Sequence, residues 1–227
     1  MSSTFKLIDA FNDVKQKVRK MPLEDVQLQI LQDALTDFWM AATWRWTVNG
    51  FVMGLTAGSA DQPITPPLTN ILYFIDAIFS DGQTIYPGHV EPFLPVTVVK
   101  GVPNKLWYNS VTSAFKVSPL PINLPNNNTW SLSARYKLQV PILTPPNIRV
   151  AGTQLFDDEY WPVFKNALLY YAYLWGDDQR AGQLTFANGQ VQATGQLGLY
   201  QFGLQQMKER EPLLTEYSNK TQEEKKT

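Results

Sequence analysis

The chain has 227 residues, 44% hydrophobic and 13% aromatic, with a formal net charge of −1 and a pI of about 5.9. That apolar content excludes a wholly disordered chain, and the near-neutral charge excludes a surface built to grip nucleic acid by basic excess. With no cysteine, disulfides, thiolate zinc sites and cysteine nucleophiles are excluded together.

The first twenty residues spread their charges and hold no continuous apolar core, which predicts no signal peptide. Phe5, Ile8, Phe11, Val14 and Val18 recur at spacings of three and four, predicting an amphipathic helix over 3–20. Pro22 interrupts it. From Leu23 the series Val26, Ile30, Leu31, Ala34, Leu35, Phe38 and Ala42 predicts a second helix to about Thr43, with Asp33 and Asp37 on another face. Trp39, Trp44 and Trp46 crowd its exit, and Gly50 marks a turn. Residues 54–69 show no period and read as a loop.

Strand signals follow. ILYFIDAIF (71–79), the Asp81-Gly82 turn and QTIY (83–86) form a hairpin signature. Gly101 and Pro103 precede KLWYN and SAFKVSP, two short strands, and residues 130–140 alternate Trp130, Leu132, Ala134, Tyr136, Leu138 and Val140. Pro141, Pro145 and Pro146 close this region near residue 150. Asp157 or Asp158 then caps a helix carrying Tyr160, Val163, Phe164, Ala167, Leu168, Tyr171 and Leu174, with Pro162 in its first turns and Gly176 as its stop. Asp177 or Asp178 caps a last helix towards Glu211, kinked or divided at Asn188-Gly189, and Pro212 ends it. The expected class is α+β: a bundle of two N-terminal and two C-terminal helices with an inserted antiparallel β-barrel or sandwich-like region. The segments are 1–50, 51–150, 151–211 and a charged tail, 212–227, that is flexible unless a partner orders it.

Signals for chemistry are weak. His89 is the only histidine, lies among Pro87, Gly88 and Pro92, and reads as a loop residue with Glu91 as its one near carboxylate. No phosphate loop or G-x-S-x-G elbow occurs. Asp157-Asp158-Glu159 and Asp177-Asp178 stand before helical periods, where carboxylates cap free N–H groups more often than they bind Mg²⁺ or Ca²⁺. Asn126–Thr129 contains a glycosylation sequon but reads as a hairpin loop. Tyr170, Tyr171 and Tyr173 point in different directions around a helix, so more than one side of it must be covered. Between Arg45 and Glu91 the only formal charges are Asp61, Asp76 and Asp81, as expected either of a surface largely covered by something else or of a polar surface built from Thr, Ser, Asn and Gln. No catalytic residue, metal site or cofactor is assigned, and an enzyme is not expected.

The order of elements, with ALTDFWMAATWRW (34–46), ILYFIDAIFSDGQTIY (71–86), GVPNKLWYNSVTSAFKVSPLP (101–121), RYKLQVPIL (135–143) and DDEYWPVFKNALLYYAYLWGDDQRA (157–181), resembles the head-to-tail adaptor proteins of tailed bacteriophages. These are also called connector, head-completion or tail tubular proteins, and the resemblance covers roughly residues 23–211. It implies a structural virion protein made in the bacterial host cytoplasm. Its copies would form a dodecameric ring in the neck, bound to the portal protein and to tail or nozzle proteins. Packaged double-stranded DNA would pass through without sequence-specific binding, and no membrane would be involved. By the same precedent Phe202, Leu204, Met207, Lys208 and Arg210, with the tail beyond them, would meet the portal. Trp107 and Tyr108 would lie at a subunit or tail interface. The competing class is a β-rich tail module holding carbohydrate or a host surface on Trp107 and Tyr108. A hydrolase using His89 or Asp158 ranks last.

Overall fold

The computed structural model describes residues 7–18, 24–93, 98–125, 128–145, 155–156, 158–187 and 190–210. Mixed α+β, it divides into two compact units, Thr47–Gln139 and the flanking Met1–Trp46 with Val140–Thr227. The sheet unit is thus inserted into the helical one. The predicted tail and the Asn188-Gly189 break lie outside the described residues, as do Asp157 and Pro22.

Among the described residues four helices build the flanking unit: α1 (Leu7–Lys15), α2 (Glu24–Met40), α3 (Trp161–Trp175) and α4 (Gly195–Arg210). α1 buries Leu7, Ala10, Phe11 and Val14, the i, i+3, i+4, i+7 stripe of an amphipathic helix. α3 is different: Lys165 is its only charge, and it packs against α1, α2 and α4. A helix covered on several sides must be apolar around most of its circumference, which accounts for its tyrosines pointing several ways. Phe38, Phe164 and Trp44 are fully buried. Rings gather around them, with Phe38 5.3 Å from Phe156 and 5.8 Å from Phe164, and Trp44 stacked on Trp46. The Trp44 indole N–H donates to the Phe38 carbonyl at 2.8 Å, so the buried ring keeps its hydrogen bond.

The sheet unit contains β1 (Val48–Leu55), β2 (Asp61–Pro63), β3 (Ile71–Ser80), β4 (Ile85–Val90), β5 (Lys100–Gly101), β6 (Lys105–Asn109), β7 (Ala114–Ser118), β8 (Leu120–Pro121) and β9 (Trp130–Leu138). Seven of these form one sheet in the order β1-β9-β3-β4-β6-β7-β2. Its two end strands are consecutive in sequence, and that forces its curvature. Laid flat, their separation would be about 29 Å, six spacings of ~4.8 Å. The chain from Leu55 to Asp61 reaches only about 20 Å even when extended. The sheet therefore curls into a half-barrel. Gln62, 1% exposed, fastens the curl. Its amide accepts from Thr56 N–H at 2.7 Å and donates to the Thr56 and Ser59 carbonyls at 2.9 and 2.7 Å. Inside lie Leu55, Phe79, Leu106, Phe115, Val117, Trp130, Leu132 and Ala134.

Several expectations are corrected. Gly50 is not a turn residue but lies within β1, opposite Arg135. Part of the predicted 54–69 loop is strand β2, paired with β7. The sheet is not wholly antiparallel, since β4 and β6 run parallel. His89 belongs to strand β4 and not to a loop, its N–H donating to the Asn104 carbonyl at 2.8 Å. Asp158 does not cap α3; it opens a short 3-10 turn, and the N-cap is Tyr160 with no side-chain cap. The first half of the expected last helix is replaced, and its second half is α4. Asp178 caps only a 3-10 turn (Gln179–Ala181), accepting from Arg180 N–H, and a two-stranded ribbon of β10 (Leu184–Ala187) and β11 (Gln190–Ala193) precedes α4.

Other expectations match the structure. The Asp81-Gly82 turn joins β3 to β4, with Asp81 Oδ1 accepting from the N–H groups of Gln83 and Thr84 at 2.9 and 2.7 Å. Those bonds hold its carboxyl below the usual range. β9 buries Trp130, Leu132, Ala134 and Tyr136 as its alternation requires. The period then slips. β3 carries register shifts between Ile71 and Tyr73 and between Phe74 and Asp76, and Lys137 is 2% exposed beside Tyr136. Burial lowers the Lys137 pKa, and its ammonium stands 6.0 Å from the Tyr73 ring centroid.

Candidate docking surfaces

KLWYN, the strand β6, sends adjacent aromatics to opposite faces. Tyr108 turns inward, its ring 4.9 Å from Phe115 and 5.6 Å from Phe74, its hydroxyl donating to the Leu68 carbonyl at 3.3 Å. Trp107 turns outward opposite Lys116, whose ammonium lies 5.6 Å from the indole centroid. Phe93, 64% exposed, meets Trp107 edge-on at 5.3 Å. Two neighbours thus already engage the half-buried indole. At the start of β6 Lys105 pairs at 3.3 Å with Glu91, just past the end of the adjoining β4, which carries exposed His89.

On α4 the structure separates the residues predicted for the portal. Tyr200, Gly203 and Met207 face inward. A Cβ on Gly203 would lie 3.0 Å from Val163 Cγ2, so this glycine sets the closeness of α4 to α3. Met207 is 6% exposed and belongs to the core, whereas Phe202 is 63% exposed. Leu204 and Lys208 are half-buried and Arg210 is exposed. Phe202, Leu204 and Met207 therefore do not form one apolar face.

Sequence reasoning misses the ribbon. Leu184 and Phe186 alternate on β10, and directly opposite them stand Ala193 and Val191, so all four share one face. Leu184, Phe186 and Val191 are 59, 77 and 67% exposed. The signal is nonetheless present: LTFA and QVQA alternate around Asn-Gly, the strongest short hairpin signature. The base of the ribbon is tightly fixed. Thr194 N–H donates to the Gln183 carbonyl at 3.0 Å, Gln183 N–H donates to Thr194 Oγ1 at 3.1 Å, and Gly182 and Gly195 both have positive φ. A Cβ on Gly182 would fall 1.8 Å from the Thr194 carbonyl oxygen.

A second unforeseen surface is a cleft of about 610 Å³ along β1, lined by Gly50–Gly54, Pro63–Thr69 and Tyr136. None of its lining residues is charged, and Val52 within it is 74% exposed. β1 ends the sheet there, so among the described residues one side of its backbone has no strand partner.

Titratable groups gather inside the helical unit around Asp37. Burial first, then the Asp37 carboxylate, push the Tyr171 phenol up to about 12. The same causes, burial again the larger, raise Tyr200. The Tyr200 hydroxyl faces that carboxylate without a hydrogen bond of normal geometry. In the sheet unit Asp76 and Arg135 form a two-pronged pair, Nε lying 2.9 and 3.0 Å from the two carboxylate oxygens, which raises the arginine pKa. Among the described residues no three His, Asp or Glu side chains gather as a metal site, and no helix is long and apolar enough to cross a membrane.

Compared with known proteins, the chain matches no family model and no curated sequence.

Proposed function

We propose that this protein is a head-to-tail adaptor of a tailed bacteriophage, a structural virion component whose copies form a ring under the portal. The observation that carries the reading is the interruption of an α-helical unit, Met1–Trp46 with Val140–Thr227, by a curled sheet spanning Thr47–Gln139. That is the order of parts the resemblance implies, with the helices as a bundle. Uncharged apolar surfaces on both units add support, because ring subunits need complementary contact faces more than reactive groups. The ring, dodecameric by family precedent, extends the DNA channel and presents a surface to tail or nozzle proteins.

Portal attachment falls to the exposed side of α4 and to the chain beyond it. Phe202, Leu204, Lys208 and Arg210 supply the contacts, while Met207 holds the helix in place from within. Electron microscopy of the protein mixed with portal-bearing, tail-less particles tests this reading. A ring at the portal vertex is expected, and deletion of residues 212–227 should weaken attachment while leaving the circular dichroism spectrum unchanged. Particles with bare portals at saturating protein would refute it.

A further inference from the structure

The ribbon and the cleft have complementary needs. The ribbon is a pair of four-residue strands without a charged residue, and Leu184, Phe186 and Val191 of its apolar face stand in solvent. A two-stranded ribbon buries too little to be stable by itself in water. Edge strands that must stay monomeric usually carry charge or proline, and β10 and β11 carry neither. The cleft beside β1 also lacks charge, offers Phe51, Met53, Ile64 and Leu68 at its walls, and has along one side a strand edge left unpaired by the described residues. Lengths agree as well: four ribbon residues extend about 13 Å and the five cleft residues of β1 about 16 Å at ~3.3 Å per residue.

We infer that the β10–β11 ribbon of one copy docks in the β1 cleft of the next, adding strands to the β1 edge and burying Phe186 and Val191 against its apolar walls. The occupant is a second copy of this chain because one molecule carries both halves of the match. A projecting element on one surface and its receiver on another make a heterologous contact, which closes into a ring or continues as a filament. Strand addition supplies main-chain hydrogen bonds, and the side chains on the apolar face fix the register. The rigid base at Gly182, Thr194 and Gly195 presents the ribbon already shaped, so little order has to be gained on docking. This inference rests on the ring reading and gives it a residue-level contact.

Sedimentation velocity of the full chain tests it with two exposed substitutions, Phe186→Asp on the ribbon and Val52→Asp in the cleft. Wild type should self-associate at tens of micromolar, and each variant should associate at least tenfold more weakly with an unchanged circular dichroism spectrum. The two variants mixed should then form a one-to-one dimer, since one retains the ribbon and the other the cleft. Should Val52→Asp fail to fold, Thr69→Asp serves in its place. Val111→Asp, at a side chain 91% exposed and outside both surfaces, should leave association unchanged. The inference is overturned if wild type stays monomeric, if either variant associates like wild type, if the mixture stays monomeric, or if Val111→Asp also abolishes association. Variants that associate normally while wild type docks on portal particles would remove this contact and leave the adaptor reading intact. Wild type that neither associates nor docks would remove both.

Discussion

The helical and sheet units both pack aromatic cores, but they treat buried polar groups differently. In the curled sheet Gln62 makes three hydrogen bonds across the β1–β2 connection, and the Trp130 indole N–H donates to the Ile122 carbonyl at 3.0 Å. In the helical unit the Trp46 indole N–H is buried with no acceptor among the described residues, and the Tyr200 hydroxyl faces the Asp37 carboxylate without a hydrogen bond of normal geometry. A curled sheet has its register set by its ladder, so a polar side chain can be placed against specific backbone groups. Helices meet through side chains alone, and large rings placed to fill volume do not always bring their polar atoms to a partner.

The largest test of this contrast removes one central ring from each unit. Phe38→Ala and Phe115→Ala each delete a fully buried ring and should each cost about 3–5 kcal/mol, read as a lowered urea midpoint. Near-ultraviolet circular dichroism should separate them, since Phe38 touches Trp44 and Trp46 whereas the aromatic neighbours of Phe115 are Phe51, Phe74 and Tyr108. Equal loss of tryptophan signal in both variants would blur the distinction between the cores.

Two glycines sharpen the account of the sheet. A Cβ on Gly88 would lie 2.9 Å from Phe79 Cε2 and 3.1 Å from the Ala77 carbonyl oxygen, and Phe79 is fully buried. Gly88→Ala should therefore destabilise by about 1–3 kcal/mol. Gly54 in β1 meets nothing within 4 Å, so Gly54→Ala should be neutral or stabilising by about 0.5 kcal/mol through the unfolded chain. Reversal of that order by thermal melts would contradict the packing at the β3–β4 pair.

The smallest expected effect belongs to the helical unit and depends on pH. Tyr171 has a folded pKa of about 12 against an ordinary value of 10.0. A raised folded pKa means the stabilisation is complete below pH 10 and lost as pH rises from there towards 12. The side chain is partly solvated, so the loss should be much smaller than full burial would give. Tyr171→Phe should flatten the alkaline part of the stability curve between those limits, and an unchanged slope would show that Asp37 and burial do not act on this phenol.

Much of the fold is legible in local sequence. The existence of α1, α2 and the Asp81-Gly82 hairpin, the inward face of β9 and Pro162 in the first turn of α3 all follow from periodicity and turn chemistry, which depend on near neighbours along the chain. The ribbon escapes such a reading because Leu184 and Val191 stand seven residues apart, as one face of a helix requires, and that spacing competes with the Asn-Gly signature. Met207 escapes it for another reason: the pattern marks an apolar side chain but not which side of α4 is covered.

Sequence alone therefore determines the α+β class, the insertion of strands between helices and the lack of disulfide or thiol chemistry. These rest on composition and on contacts between near neighbours. Tertiary structure decides the curl of the sheet, which of Trp107 and Tyr108 faces the core, the burial of Lys137 and the exposure of Phe186. Each of those depends on partners far away in the chain. β1, for example, pairs with β9 some eighty residues on, and the short link to β2 bends the whole sheet only because their partners stand at its opposite ends.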